Sequence, residues 1–279
     1  MPRSHTIVVV PCYNEAARLD HQQFANFAQD CSDVHLLFVN DGSTDETLHM
    51  LNQLAATNPH QLFVHDLEHN VGKAEAVRQG MLEAFRRQPD YVGFWDADLA
   101  TPLDAIPRFC ELMENQSHLQ VVVGSRIALL GHDVRRKFRR HLLGRAFASV
   151  VSLMLGFAVY DTQCGAKLFR TSQEIEEIFQ QPFCSRWIFD VEIFARLMRQ
   201  SQDGKLPPVE HIVYEHPLRS WEDVDGSKLK LRDFFVAAFD LVKVYRTYLA
   251  GTRNTSVPLP QVSVDSESTS IDTGRRRAA

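Results

Sequence analysis

Pro89-Asp90-Tyr91-Val92-Gly93-Phe94-Trp95-Asp96-Ala97-Asp98 is the stretch on which the fold turns. A short apolar run behind a Pro-Asp turn signal predicts a buried strand, and this one stops at two acids. In an open α/β sheet, ligands bind beyond the carboxyl ends of the strands. An extended backbone would turn Asp96 and Asp98 to the same side. Two carboxylates at that spacing suit a hard divalent cation, Mg²⁺ or Mn²⁺, with phosphate oxygens completing its shell. The same letters also read as a plain turn, with Asp98 capping a helix near Thr101-Pro102-Leu103.

Working outward, strand-like runs alternate with helical patterns. Strands are expected at Thr6–Val10, Val34–Val39, Gln61–His65, Tyr91–Trp95 and Val121–Val123. Helices are expected at about Glu15–Asp30, Ser43 or Thr44 to Leu54, Val71–Arg87 and Pro102–Glu114. Repeated βα units at this spacing imply a mainly parallel sheet, covered on both faces and joined by right-handed crossovers. The second half is less regular. Arg135–Tyr160 reads as a basic entry to a long apolar helix. Gly165–Phe169 and Pro208–Tyr214 read as strands, and Ser172–Phe179 and Asp190–Arg199 as helices. Leu229–Leu249 reads as an amphipathic helix with Leu231, Phe234, Phe235, Ala238, Leu241, Val242, Tyr245 and Leu249 on one stripe. The expected organisation is one α/β domain over 1–250 and a polar tail over 251–279.

Composition excludes several classes. A net charge of −5 and a pI near 6.2 give no global basicity for nucleic acid. Five widely spaced cysteines without a C-x-x-C pair argue for reduced thiols and a cytoplasmic setting, against a disulfide framework or zinc site. The chain enters Ile7-Val8-Val9-Val10 almost at once, which reads as no signal peptide. No run of about 20 apolar residues predicts a membrane span.

Other polar segments follow predicted strands. Pro11-Cys12-Tyr13-Asn14-Glu15 follows the first, and Asn40-Asp41-Gly42-Ser43-Thr44-Asp45 follows the second. Singly, each is equally a helix start or a turn. The βαβ topology gathers them with Asp96 at one crevice, whose acids and metal suggest a nucleoside diphosphate. Lys73, at the head of a helix, is either a phosphate contact or a solvated lysine. Arg126, Lys167 and the cluster Arg135, Arg136, Lys137, Arg139 and Arg140 offer cations for an anion, guanidinium groups matching phosphate well. That cluster also reads as an exposed helix start. Ala146–Tyr160 carries no charge; it is short for a span but suits either an interfacial helix with basic anchors or a buried core helix. Asp190 and Glu192 alternate like Asp96 and Asp98, or they form the acidic first turn of a helix. The histidines show no metal spacing.

The P-x-Y-N-E segment, the D-G-S-T-D turn and D-A-D, in this order, resemble family 2 glycosyltransferases of the GT-A fold, over roughly residues 5–245. Gly124-Ser125-Arg126, Asp161-Thr162-Gln163-Cys164-Gly165-Ala166-Lys167, Trp187-Ile188-Phe189-Asp190-Val191-Glu192, and Trp221 with Asp225-Gly226-Ser227-Lys228 are similar to its dolichyl-phosphate β-glucosyltransferase branch. By that resemblance Pro11, Tyr13, Glu15 and Asp41 line a nucleoside pocket, and Asp96 and Asp98 meet ribose, metal and diphosphate. The resemblance implies inverting transfer of a hexose, glucose from UDP-glucose, onto a polyprenyl phosphate. Asp98, Asp190 and Arg126 would carry catalysis, and Arg126, Arg135, Arg136, Arg139 and Lys167 would hold the acceptor. Many relatives have two acids before Gly-Ser where this chain has Asn40-Asp41. Animal and fungal members of the branch carry an N-terminal membrane anchor not seen here, so a cytoplasmic protein peripheral to the membrane is the expectation. A hydroxyl acceptor, a GDP-mannose donor, or a silent nucleotide-sugar-binding protein are the competing readings.

Overall fold

The computed structural model describes residues 4–127, 129–135, 138–222 and 231–250. Its centre is a seven-stranded sheet of order β3-β2-β1-β4-β7-β5-β8. The strands are β1 (Thr6–Cys12), β2 (Val34–Asp41), β3 (Leu62–Leu67), β4 (Tyr91–Trp95), β5 (Val121–Ser125), β7 (Ala166–Arg170) and β8 (Val213–Pro217). β1 to β4 run parallel, as do β5 and β8. β7 lies antiparallel between β4 and β5. Two short strands, β6 (Asp133–Arg135) and β9 (Ser220–Glu222), pair apart from this sheet.

Alternation along the strands builds both cores. Ile7, Val9, Leu37 and Val39 face one side, against α3 (Lys73–Phe85), α6 (Gln173–Gln180) and α7 (Phe189–Gln202). Val8, Val10, Leu36 and Phe38 face the other, against α1 (His21–Asp30), α2 (Thr47–Thr57) and α4 (Ala105–Asn115). Strands buried on both faces explain why the sequence shows continuous apolar runs rather than alternation. The expected mainly parallel α/β architecture is therefore observed.

Several boundaries differ from the sequence expectation. The first helix starts at His21, not Glu15, because the Asp20 Oδ1 accepts from the Gln23 amide and caps it there. Pro208–Tyr214 is not one strand. Pro208 sets a short helix, α8 (Val209–Ile212), and β8 begins only at Val213. The long apolar helix α5 spans Phe138–Leu155 and buries Ala148, Val151 and Leu155, while Val150 and Leu153 stay exposed. The C-terminal helix α9 (Leu231–Val244), continued by a π-helical turn at Tyr245–Leu249, buries Leu241, Val244 and Leu249. Val242 and Tyr245, expected on that same stripe, are exposed, together with Val236 and Phe239. Among the described residues no helix is long and apolar enough to cross a membrane. None of the five cysteines forms a disulfide. Arg136, Lys137, Asp225–Lys228 and the tail 251–279 lie outside the described residues, as do the side chains of Arg135, Arg139 and Arg140.

Candidate active site

The acidic turn forms because β4 ends at Trp95, whose indole Nε1 donates to the Thr101 carbonyl at 2.8 Å and closes the chain over it. Asp96–Asp98 is thus a turn rather than an extended continuation of the strand, with the Leu99 amide donating to the Asp96 carbonyl at 3.4 Å. Ala97 points into the core between the two acids. Asp98 Oδ1 accepts from the Ala100 amide at 3.1 Å. Burial first, and the Asp96 charge second, push the Asp98 carboxyl above the ordinary range, while Ala100, Lys73 and Arg18 pull it back.

β7 delivers its entrance, not its exit, to this edge. The Asp96 amide donates to the Gly165 carbonyl at 3.0 Å, and the Asp96 carboxylate lies across the bare α-carbon of Gly165. A Cβ on Gly165 would sit 2.0 Å from Asp96 Oδ2, inside any tolerable contact. Gly165→Ala should therefore displace the Asp96 carboxylate. We expect activity to fall by about 10²-fold, the usual scale for one lost charge stabiliser, with the CD spectrum unchanged; wild-type activity would show that the carboxylate position is not used.

Cations surround the acids. Lys73, first residue of α3, places Nζ 2.5 Å from Asp96 Oδ1. Desolvation of the ammonium works against its charge although the side chain as a whole is 45% exposed, yet Asp96, Asp190 and Asp98 outweigh this and hold it above the ordinary lysine range. Arg126, just past β5, is gripped by Asp161: Nε donates at 2.6 Å, Nη2 at 2.7 Å and the backbone amide at 3.1 Å. Its guanidinium also lies over the Trp221 ring, 5.3 Å from the centroid. The Asp161 pairing holds Arg126 firmly protonated despite burial, and Asp96 adds to that field.

Lys167 is the clearest correction. The sequence expectation sets it against an acceptor anion, but its side chain is 0% exposed. Nζ donates to Asp190 Oδ1 at 2.5 Å and to the Cys164 carbonyl at 2.7 Å. It faces inward on β7 and serves Asp190, not solvent. Asp190 and Glu192 do not act as an alternating pair either, since both lie in the first turns of α7. Glu192 is fully buried in a network with Arg196, Tyr248 and the Cys184 amide, which ties the C-terminal turn to α7.

The loops after β1 and β2 form the other wall. The Asn14 amide donates to Ser43 Oγ at 3.1 Å, and Asn14 Oδ1 accepts from the Thr44 amide at 2.9 Å. The Glu15 amide donates to Thr47 Oγ1 at 2.8 Å. Pro11 lies within β1, and Tyr13 is exposed at 45%. Glu15 is nearly buried; its Oε1 accepts from Arg18 at 2.6 Å, while Oε2 has no partner. Burial pushes its carboxyl up, Arg18 draws it down, and Asp98 and Asp45 add repulsion, so Glu15 belongs to the field of the acidic turn. Asp41 works on the backbone instead. It accepts from the Val71 amide at 2.7 Å, the Gly72 amide at 2.9 Å and Asn70 Nδ2 at 3.0 Å, seating the loop that carries Lys73. Gly42, at φ +59°, lets that loop pass where a Cβ would strike His69 and Asn70.

Sequence reasoning did not assign Arg18 or Asp161 to the site. Arg18 lies three residues past Glu15, a helical spacing that could have signalled the pair. Asp161 opens the D-T-Q-C-G string but has no periodic signal of its own. Among the described residues no three acids, histidines or cysteines converge into a metal cage. The donor set is a carboxylate pair, with an unpartnered Glu15 oxygen behind it, which fits a hard cation that brings other oxygen ligands with it.

The comparisons with known proteins place this α/β fold in a family. The family model described as glycosyl transferase family 2 matches residues 7–177, and the chain belongs to that family. It is similar to dolichyl-phosphate beta-glucosyltransferase of Saccharomyces cerevisiae, 32% identical over 88% of this chain and 75% of that one. The protein of the same name from Dictyostelium discoideum is 31% identical over the same shares. Among solved structures, glucosyl-3-phosphoglycerate synthase from Mycobacterium tuberculosis, in complex with Mn²⁺, UDP and glucosyl-3-phosphoglycerate, superposes with a TM-score of 0.60. That match is 18% identical and covers 91% of this chain and 82% of the other, so the fold is GT-A. The protein is a glycosyltransferase.

Proposed function

We propose that this glycosyltransferase moves glucose from UDP-glucose onto a polyprenyl phosphate, with inversion. The observation that carries the choice of acceptor is the Lys167–Asp190 pair. A hydroxyl acceptor must lose a proton to a positioned base. Asp190 is the acid placed for that, yet its Oδ1 is committed to a buried ammonium. A phosphate acceptor arrives already ionised and needs cations instead. Arg126 supplies one beside the acidic turn, and the names of the relatives point to the same acceptor class.

Asp96 and Asp98 are the residues to hold a divalent cation, Mg²⁺ or Mn²⁺, against the donor diphosphate. When bound, that ion supplies charge neutralisation at the leaving group. Glu15 and Tyr13 border the nucleoside side. Asp41, its carboxylate spent on the loop of residues 70–72, shapes that wall from behind. Lys73 balances the carboxylate pair and is free to swing to a phosphate oxygen when donor arrives. Arg126, held rigid by Asp161, presents a fixed positive edge to the incoming anion.

The test is UDP release with UDP-glucose and GDP-mannose as donors, with and without Mn²⁺, and with a polyprenyl phosphate or an alkyl glycoside as acceptor. We expect rapid release only with UDP-glucose, Mn²⁺ and the lipid phosphate. Asp190→Asn leaves the Lys167 ammonium buried without its partner, so rates are taken per folded molecule; on that basis it should spare most of the transfer, within about tenfold, because no base is removed. Loss of more than about 10³-fold on Asp190→Asn would point instead to a base and a hydroxyl acceptor.

Membrane association is part of the proposal. Exposed Leu130, Val150 and Leu153 lie in and before α5, and Val236, Phe239 and Val242 lie on α9. Apolar faces of this kind beside basic residues suit the plane of an anionic bilayer. The protein should pellet with anionic liposomes at low salt and not with zwitterionic ones; failure to pellet at all removes the membrane reading. A cytoplasmic location, peripheral to the membrane, follows from that same proposal.

A further inference from the structure

Arg126 owes its direction to Asp161, and Asp161 owes its own to a residue on the edge strand. Glu215 of β8, in register with Val123 of β5, turns its carboxylate to the chain at Tyr160–Asp161. Its oxygens accept from the Tyr160 amide at 2.9 and 3.0 Å and from the Asp161 amide at 2.8 Å. Two successive amides on one carboxylate make a nest, in which the anion fixes the backbone orientation. From the other side Arg145 of α5 donates Nη1 to the Tyr160 carbonyl at 3.1 Å and lies 3.9 Å from the centroid of the Tyr160 ring. The peptide is thus clamped at both ends, and the Asp161 carboxylate leaves it aimed at the guanidinium.

We propose that Glu215 is a positioning residue for Arg126, acting through the Tyr160–Asp161 peptide. It touches no reactant. Its effect is to hold the bidentate Asp161–Arg126 pair at one angle, so that Arg126 meets the acceptor anion without reorganising. The proposal rests on Arg126 as the cation that receives the acceptor phosphate. An amide at position 215 would keep the shape but set an NH₂ group and a single acceptor oxygen against two backbone donors.

Initial rates of the full chain with UDP-glucose, Mn²⁺ and a polyprenyl phosphate test this in wild type, Glu215→Gln, Arg126→Lys and the double variant. Because KM is read only from folded molecules, partial unfolding cannot imitate the result. We expect Glu215→Gln to raise the acceptor KM about tenfold and to leave the donor KM within about twofold. Adding it to Arg126→Lys should raise the acceptor KM no further, the signature of two residues acting as one unit. Glu215→Asp, which keeps the charge, should fall between wild type and Glu215→Gln. Multiplying effects in the double variant, or an unchanged acceptor KM in Glu215→Gln while Arg126→Lys raises it, overturn the positioning role. An unchanged acceptor KM in Arg126→Lys itself overturns the underlying reading of Arg126.

Discussion

Asp98→Asn should lower turnover by about 10²–10³-fold, roughly 3–4 kcal/mol of transition-state stabilisation, while the melting temperature of the metal-free protein stays level or rises at neutral pH. In the proposed function the acid would help hold a divalent cation against the leaving diphosphate, and an amide would hold such a cation poorly. The unchanged or raised melting temperature follows from the field around the carboxylate. Burial and Asp96 hold the Asp98 carboxyl above its ordinary range, so its ionisation costs the folded state. Glu15 and Asp41 are shifted in the same direction, again with burial as the main cause. For each, the favourable contribution is fully present below the ordinary carboxylate range and is lost as pH rises through the elevated folded value. The metal-free protein should therefore lose part of this stability as it is brought from acid toward neutral pH. Mn²⁺ with UDP should return it in wild type and fail to do so in Asp98→Asn. Differential scanning fluorimetry across pH, alongside kcat, reads both. A melting temperature that collapses together with activity would make Asp98 a structural acid and end the catalytic assignment.

Lys167→Met is the second large effect, and it falls on the fold. Breaking a buried ion pair by removing one partner costs about 3–5 kcal/mol, because the remaining charge is left uncompensated. That corresponds to a drop in melting temperature on the order of 10 °C for a chain of this size. Methionine keeps the length of the side chain beside Phe94, whose ring centroid is 5.2 Å from Nζ. The loss therefore reports charge rather than volume. The Cys164 carbonyl loses its donor as well, and with it goes one tether of the loop that seats Asp96. Lys167→Met with Asp190→Asn should recover most of the stability, since neither charge then remains buried alone. If the single variant melts within about 2 °C of wild type, which is less than 1 kcal/mol, the pair is not the anchor that its geometry implies.

These two residues also mark what can be read in the chain. Asp98 is legible because it ends an apolar run, and the run fixes both strand and edge. Lys167 is not, because a lysine among apolar neighbours gives no local sign of a partner. Asp190 lies 23 residues away, and only the antiparallel placement of β7 brings the two together. Asn40 is a different case, an amide whose place the structure explains. It stands opposite Asp66 on β3 and donates Nδ2 to Asp66 Oδ1 at 2.7 Å. An acid there would face another acid across the strands, which is destabilising. Asp161 and Glu215 stay hidden for a related reason. They act on backbone amides and on one arginine, through contacts 35 and 54–55 residues apart.

The place of β7 has one more consequence, for the order in which the molecule can come together. β4 and β5 never touch as partners; a strand some 40 residues beyond β5 in the chain lies between them. Non-local pairing of this kind is slow to form, because chain entropy is lost before contacts repay it. The parallel run β3-β2-β1-β4 can assemble from the first hundred residues, but its acidic turn then has no Gly165 to rest on. A nascent chain that stops short of Gly165 would own both aspartates and still lack the surface on which Asp96 rests. The cleft therefore needs a central strand that comes late in the chain, and a product of the first four strands alone would lack it.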